Sequence, residues 1–113
     1  MERYLISFDE GAMDHVRDEE LVAAGVESRA VVEEAKREGV WIFGGGIARQ
    51  RTSIVSVEGS VTDGPLPEKM AAIGGFCIVE VEGREDALAW AAKFAASCRC
   101  AQEVREIMFD PES

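Results

Sequence analysis

The sequence predicts a single α+β domain, residues 1–113, in which an antiparallel sheet carries two helices on one face. Three observations lead there. Short apolar runs rich in β-branched and aromatic residues alternate with turn signals. Only two stretches have helical periodicity, one after the first strand and one before the last. A chain of 113 residues buries one modest core and is too short for a second independent domain.

The apolar run from Tyr4 to Phe8, closed by Asp9-Glu10-Gly11, reads as the first strand, and a loop follows to about Arg17. From Asp18 to Glu38, Leu21, Ala24, Ser28, Val31 and Ala35 recur at steps of three and four while acidic and basic residues fill the other sides, which is an amphipathic helix. Gly25 weakens it and is a place where it can break, and Gly39 suits the left-handed position that ends helices. Val40 to Phe43 is wholly apolar and reads as a second strand covered on both faces, after which Gly44-Gly45-Gly46 is expected to bend the chain.

Thr52 to Val57 and Ser60 to Thr62 flank Glu58-Gly59 and read as a hairpin with a two-residue turn, leading into an Asp63-Gly64-Pro65 turn. A loop or single helical turn at residues 66–73 precedes a strand from Phe76 to Glu82. Arg84 to Ser97 supplies the second helix, with Ala87, Leu88, Ala91, Phe94 and Ala95 toward one side and Trp90 one turn from Phe94. Glu103 to Met108 closes the sheet, and a polar tail follows. This order suggests a ferredoxin-like layout. In the strand after Gly75, Cys77, Val79 and Val81 point one way and Phe76 and Ile78 the other, so both sheet faces are apolar. Two helices cover only one of them, and the simplest cover for the other is a second copy, giving a two-fold homodimer.

The net charge of -10, from 22 acidic and 12 basic residues, disfavours nucleic acid and anionic membranes as partners. The apolar stretch at the start is too short for a signal peptide and no window approaches a membrane span of about 18 apolar residues. Cys77, Cys98 and Cys100 are an odd number, which suits a reducing compartment, so a cytoplasmic protein with free thiols is expected.

The segment Val61-Thr-Asp-Gly-Pro-Leu-Pro-Glu68, followed by Ile73-Gly-Gly-Phe76, resembles the signature of the DGPF subgroup of YCII-related proteins. The likeness continues through Gly44-Gly45-Gly46, Asp86-Ala-Leu-Ala-Trp-Ala91 and Glu103-Val-Arg105. It implies a dimeric α/β barrel, with the sheets of two protomers facing each other and a pocket in each protomer. The sequence departs from the pattern at Leu66, Met70, Ala71 and Glu106, where the signature has phenylalanine, lysine, glutamate and proline. The His-Asp pair associated with the YCII branch has no counterpart, because the sole histidine, His15, precedes the first helix.

Asp63 opens a turn whose backbone Gly64 and Pro65 restrict, so its carboxylate is either a rigidly held general base or a turn residue bonded to nearby amides. Glu68 in the same loop either pairs with it, dividing acid and base work, or is solvated surface. His15 has the one side chain suited to proton transfer near neutral pH, against the reading of a loop histidine on the surface. Arg49 and Arg51 straddle Gln50, so an extended backbone turns both guanidinium groups to one side, either to clamp a carboxylate or to pair with the surrounding acids. The glycine run lacks the spacing of a nucleotide loop, and Cys98-Arg-Cys100 lacks the second ligand pair of a closed zinc site, so neither cofactor nor metal is expected.

Two functional readings follow. One is a cofactor-independent lyase or isomerase for a small carboxylated or phenolic metabolite, with Asp63 and His15 moving protons and Arg49, Arg51 and Glu68 holding the substrate. The other is a non-catalytic small-molecule-binding or accessory dimer. Convergence of these residues on one cavity favours the first.

Overall fold

The computed structural model describes residues 1–48, 52–64 and 72–113. In chain order it contains β1 (Glu2–Asp9), α1 (Asp18–Arg37), β2 (Trp41–Gly46), β3 (Ser53–Val55), β4 (Val61–Asp63), β5 (Ile73–Val81), α2 (Arg84–Cys98) and β6 (Glu103–Glu106). Four strands form one sheet in the order β2-β5-β1-β6, and β3 pairs only with β4. β1 and β2 both run antiparallel to β5, while β5 and β6 both run antiparallel to β1. Each helix therefore joins two parallel strands with a third between them, the split β-α-β arrangement of a ferredoxin-like fold. Among the described residues no helix is long and apolar enough to cross a membrane.

The core lies between sheet and helices. β1 turns Tyr4 and Ile6 toward the helices and β5 turns Cys77, Val79 and Val81, all between 0% and 5% exposed. α1 meets them with Ala35, supported by Val31 and Val32, and α2 with Ala87, Trp90, Ala91 and Phe94. The alanines let the helices sit close to the strands, and the two aromatic residues fill the space beside them. Burying a side chain such as Val79 contributes about 1.5–3 kcal/mol.

The charges at the ends of α1 suit its dipole: Asp18, Glu19 and Glu20 stand in the first turn, Lys36 and Arg37 in the last. The helix runs unbroken through Gly25. α2 ends at Arg99, a non-glycine residue in the left-handed region at φ 59. Its guanidinium grips the carboxylate of Glu27 with two 3.0 Å hydrogen bonds, tying the end of α2 to α1 and holding the Glu27 carboxyl below its ordinary value.

Four expectations need correction. Gly44, Gly45 and Gly46 do not bend the chain; they pair with Cys77, Phe76 and Gly75 as the second half of β2. A Cβ on Gly44 would lie 2.5 Å from the Phe76 carbonyl oxygen and 2.6 Å from the Cys77 Cβ, so glycine permits a strand approach that any side chain would obstruct. β2 is not covered on both faces, because it is the sheet edge and Phe43 is 62% exposed. The hairpin has shorter strands and a longer connection, closed by Ser56 N–H donating to the Ser60 carbonyl and Gly59 N–H to the Ser56 carbonyl. β6 stops at Glu106, leaving Met108 and Phe109 almost fully exposed. The segment from Pro65 to Ala71 lies outside the described residues, as do residues 49–51.

On the far face of the sheet Leu5, Phe76 and Ile78 are half-buried beside the exposed Phe43, whose ring centroid is 6.0 Å from that of Phe76. Neither helix covers this face.

The close approach at Gly44 generates a stability prediction. Gly44→Ala should lower the unfolding free energy by about 1–3 kcal/mol in urea titrations. Gly45→Ala, whose added methyl would meet nothing within 4 Å among the described residues, should change it by less than about 0.5 kcal/mol. Equal effects of the two substitutions would contradict this packing.

Candidate functional site

Helical periodicity places Leu21, Ala24 and Ser28 on the sheet side of α1, and the register of β2 brings Gly44 and Gly46 to the helix side of the sheet, beside Cys77 and Gly75. Between these walls lies a cavity of about 520 Å³. Ile6 and Phe8 of β1, Trp41 of β2 and Phe94 of α2 supply its apolar lining. Trp41 and Phe94 stand with ring centroids 6.3 Å apart, tilted by 43°, a contact between an edge strand and the last helix. The volume and the aromatic wall are those of a small-molecule site.

Among the described residues, polar groups at the cavity are few. Lys36 lines the cavity, and its ammonium lies 3.8 Å from the Glu33 carboxylate. Ser28 donates its hydroxyl hydrogen to the Gly25 carbonyl at 3.2 Å, so its oxygen can still accept. Gln102, just beyond α2, adds an amide. Cys77 and Cys98 put two thiols on the lining. Burial, and then the neighbouring Cys98, push the Cys77 thiol up to about 12. Burial also raises Cys98, against the opposing pull of Ser97 and Arg99, and raises Cys100. All three thiols are free and protonated near neutrality, and the two on the lining, Cys77 and Cys98, act as apolar wall rather than as nucleophiles.

Asp63 stands at the end of β4, exposed, and accepts a hydrogen bond from Ser53 Oγ, its cross-strand partner. His15 is exposed in the run of turns between β1 and α1, two residues beyond Met13, which lines the cavity. Neither His15 nor Asp63 is part of the lining. Arg49, Arg51 and Glu68 lie outside the described residues. Sequence reasoning did not single out Trp41, Ser28, Lys36, Cys77 and Cys98 as a group, because four separate elements bring them together. One signal was legible: Gly25 interrupts a helical pattern at a point where no turn requires it.

The model of the YCII-related domain family matches residues 4–108. The chain belongs to the YCII-related domain family. A comparison with curated proteins finds no match. Among solved structures, the chain is similar to the 5-chloro-2-hydroxyhydroquinone dehydrochlorinase of Burkholderia phenoliruptrix in complex with 2,5-dihydroxybenzoquinone, with a TM-score of 0.56 and 14% identity over 99% of this chain and 98% of that one. At that identity the likeness establishes the shared α+β fold.

Two buried acids generate a pH prediction. Cys77 and Tyr4 are both pushed up to about 12, Cys77 by burial and Tyr4 chiefly because its hydroxyl donates to the Glu2 carboxylate. The folded state therefore favours their neutral forms, and that stabilisation is complete below pH 9.0 and is lost as pH rises toward about 12. The urea midpoint should fall over this interval, and Cys77→Ala should flatten the fall after its own loss of packing is subtracted. A pH-independent midpoint would refute the assignment.

Proposed function

We propose that this YCII-related protein is a small cofactor-independent lyase or isomerase that takes a phenolic or carboxylated aromatic metabolite into the cavity beneath α1 and α2. The observation that carries the reading is the cavity itself: an aromatic and glycine-lined space of about 520 Å³ with Lys36 on its wall to receive an acidic group. The similar dehydrochlorinase, an enzyme of a chlorinated hydroquinone seen in complex with a quinone, supports this substrate class. In this reading His15 reaches the rim through the loop that carries Met13, Asp63 serves as the second proton-transfer group, and Arg49, Arg51 and Glu68 hold the substrate. Membership of the DGPF subgroup is part of the same proposal, supported by residues 61–68 and the Ile73-Gly-Gly-Phe76 step.

A cytoplasmic homodimer completes the proposal. Free thiols support the compartment. The uncovered apolar face around Leu5, Phe43, Phe76 and Ile78 supports a two-fold partner, as do the exposed Val55, Val57 and Val61 of the hairpin. A second reading, a binding or accessory dimer without turnover, is favoured by one observation: His15 and Asp63 are absent from the cavity lining.

Three measurements test these statements. In a thermal-shift panel of phenols and benzoates, a ligand should raise the wild-type melting temperature by more than about 2 °C. A chlorinated hydroquinone should then release chloride, at a rate that falls at least tenfold in Asp63→Ala or His15→Ala. Binding without any turnover would favour the accessory reading, and no binding would sink both. Light scattering should give the mass of two chains, and Ile78→Glu should give the mass of one.

A further inference from the structure

Gly25 and Gly46 line the cavity from opposite elements, one on α1 and one on β2. Neither is among the glycines with positive φ, so the backbone at these positions suits any residue. Close packing does not demand glycine either. Among the described residues a Cβ on Gly46 would meet nothing within 4 Å, and one on Gly25 would meet only the far end of the Arg29 side chain, at 3.9 Å, an ordinary van der Waals contact. Gly44 and Gly75 differ: there an added Cβ would overlap Cys77 or the Phe8 ring at 2.6 Å. Glycine inside a helix or strand weakens that element relative to alanine. Two positions therefore carry a destabilising residue that neither conformation nor packing requires, and both face the same open space.

We propose that Gly25 and Gly46 set the aperture of the cavity and thereby its specificity, leaving room for a flat six-membered aromatic ring that bears an acid or phenol group. The inference rests on the proposed small-molecule function and narrows its substrate class. The space that two missing side chains leave admits a planar ring more readily than a puckered one of equal carbon count. Trp41, Phe94 and Phe8 offer ring faces and edges to such a molecule. Lys36, on the same helix as Gly25, receives its acidic substituent. The two glycines are thus specificity-determining positions that trade fold stability for room.

The test uses the full chain with gentisate, a dihydroxybenzoate, and cyclohexanecarboxylate as the puckered control, binding being measured by calorimetric titration and stability by thermal melting. Wild type should bind gentisate at least tenfold more tightly than cyclohexanecarboxylate. Gly25→Ala and Gly46→Ala should each melt about 2–5 °C higher than wild type without ligand, because alanine restricts the unfolded chain and favours helix or strand. Each should also bind gentisate at least fivefold more weakly, and Gly46→Val should abolish binding while melting no lower than wild type. Raised melting with unchanged binding would overturn the aperture role and leave the proposed function standing. Lowered melting in both alanine variants would make the glycines structural and overturn it as well. Failure of wild type to bind gentisate, or equal affinity for the two rings, would overturn the narrowed substrate class, and absence of any hit across the phenol and benzoate panel would remove the broader reading with it.

Discussion

The position of β5 between β1 and β2 is the constraint on which the rest of the molecule depends. Its inward residues Cys77, Val79 and Val81 form the middle of the core, and the helices close over them through small side chains. Because β1 and β5 occupy the sheet centre, each helical connection must cross over a strand to reach its destination. Right-handed crossing puts both helices on one side. The opposite side is then left with Leu5, Phe43, Phe76 and Ile78 and no element to cover them.

Glycine is used in two opposing ways around the cavity. At Gly44 and Gly75 its lack of a side chain lets β2 and β1 press against β5, where a methyl group would collide with backbone or with the Phe8 ring. At Gly25 and Gly46 the same lack leaves space unfilled. The first pair draws the walls together and the second keeps them from closing the gap. Protein interiors are ordinarily close-packed, so a volume of this size stands out, and the aromatic residues along it give it a chemical character.

The chemistry available in that volume is restrained. Its thiols are held in their neutral forms by burial, its hydroxyl is engaged with a helix carbonyl, and its charge comes from a lysine on α1. In the proposed reading such a site recognises shape, ring faces and one negative group. Proton transfer requires residues brought to it from its margins, which is the role assigned to His15 and Asp63 in the proposed reaction. The exposed hairpin carrying Asp63 touches none of the other elements. It is also too small to be stable in isolation, and in the proposed dimer a partner surface would support such an arm.

Much of the fold was legible in the sequence because it follows from local periodicity. Alternation in residues 76–82 identified the inward set Cys77, Val79 and Val81, and the three-four spacing in residues 18–38 identified α1 with its buried Ala24 and Ala35. The family likeness was legible in continuous stretches of chain, and the match over residues 4–108 bears it out at the level of the YCII-related domain. The glycine run was misread because glycine alone signals a turn; only strand pairing shows that it serves close approach to Cys77. The Trp41–Phe94 contact and the meeting of Gly25, Gly46, Lys36 and Cys98 around one cavity were decided by tertiary structure. The reason is physical: periodicity records which way a side chain faces within its own element, whereas a cavity depends on the distances between elements, and those are set by side chains far apart in the chain.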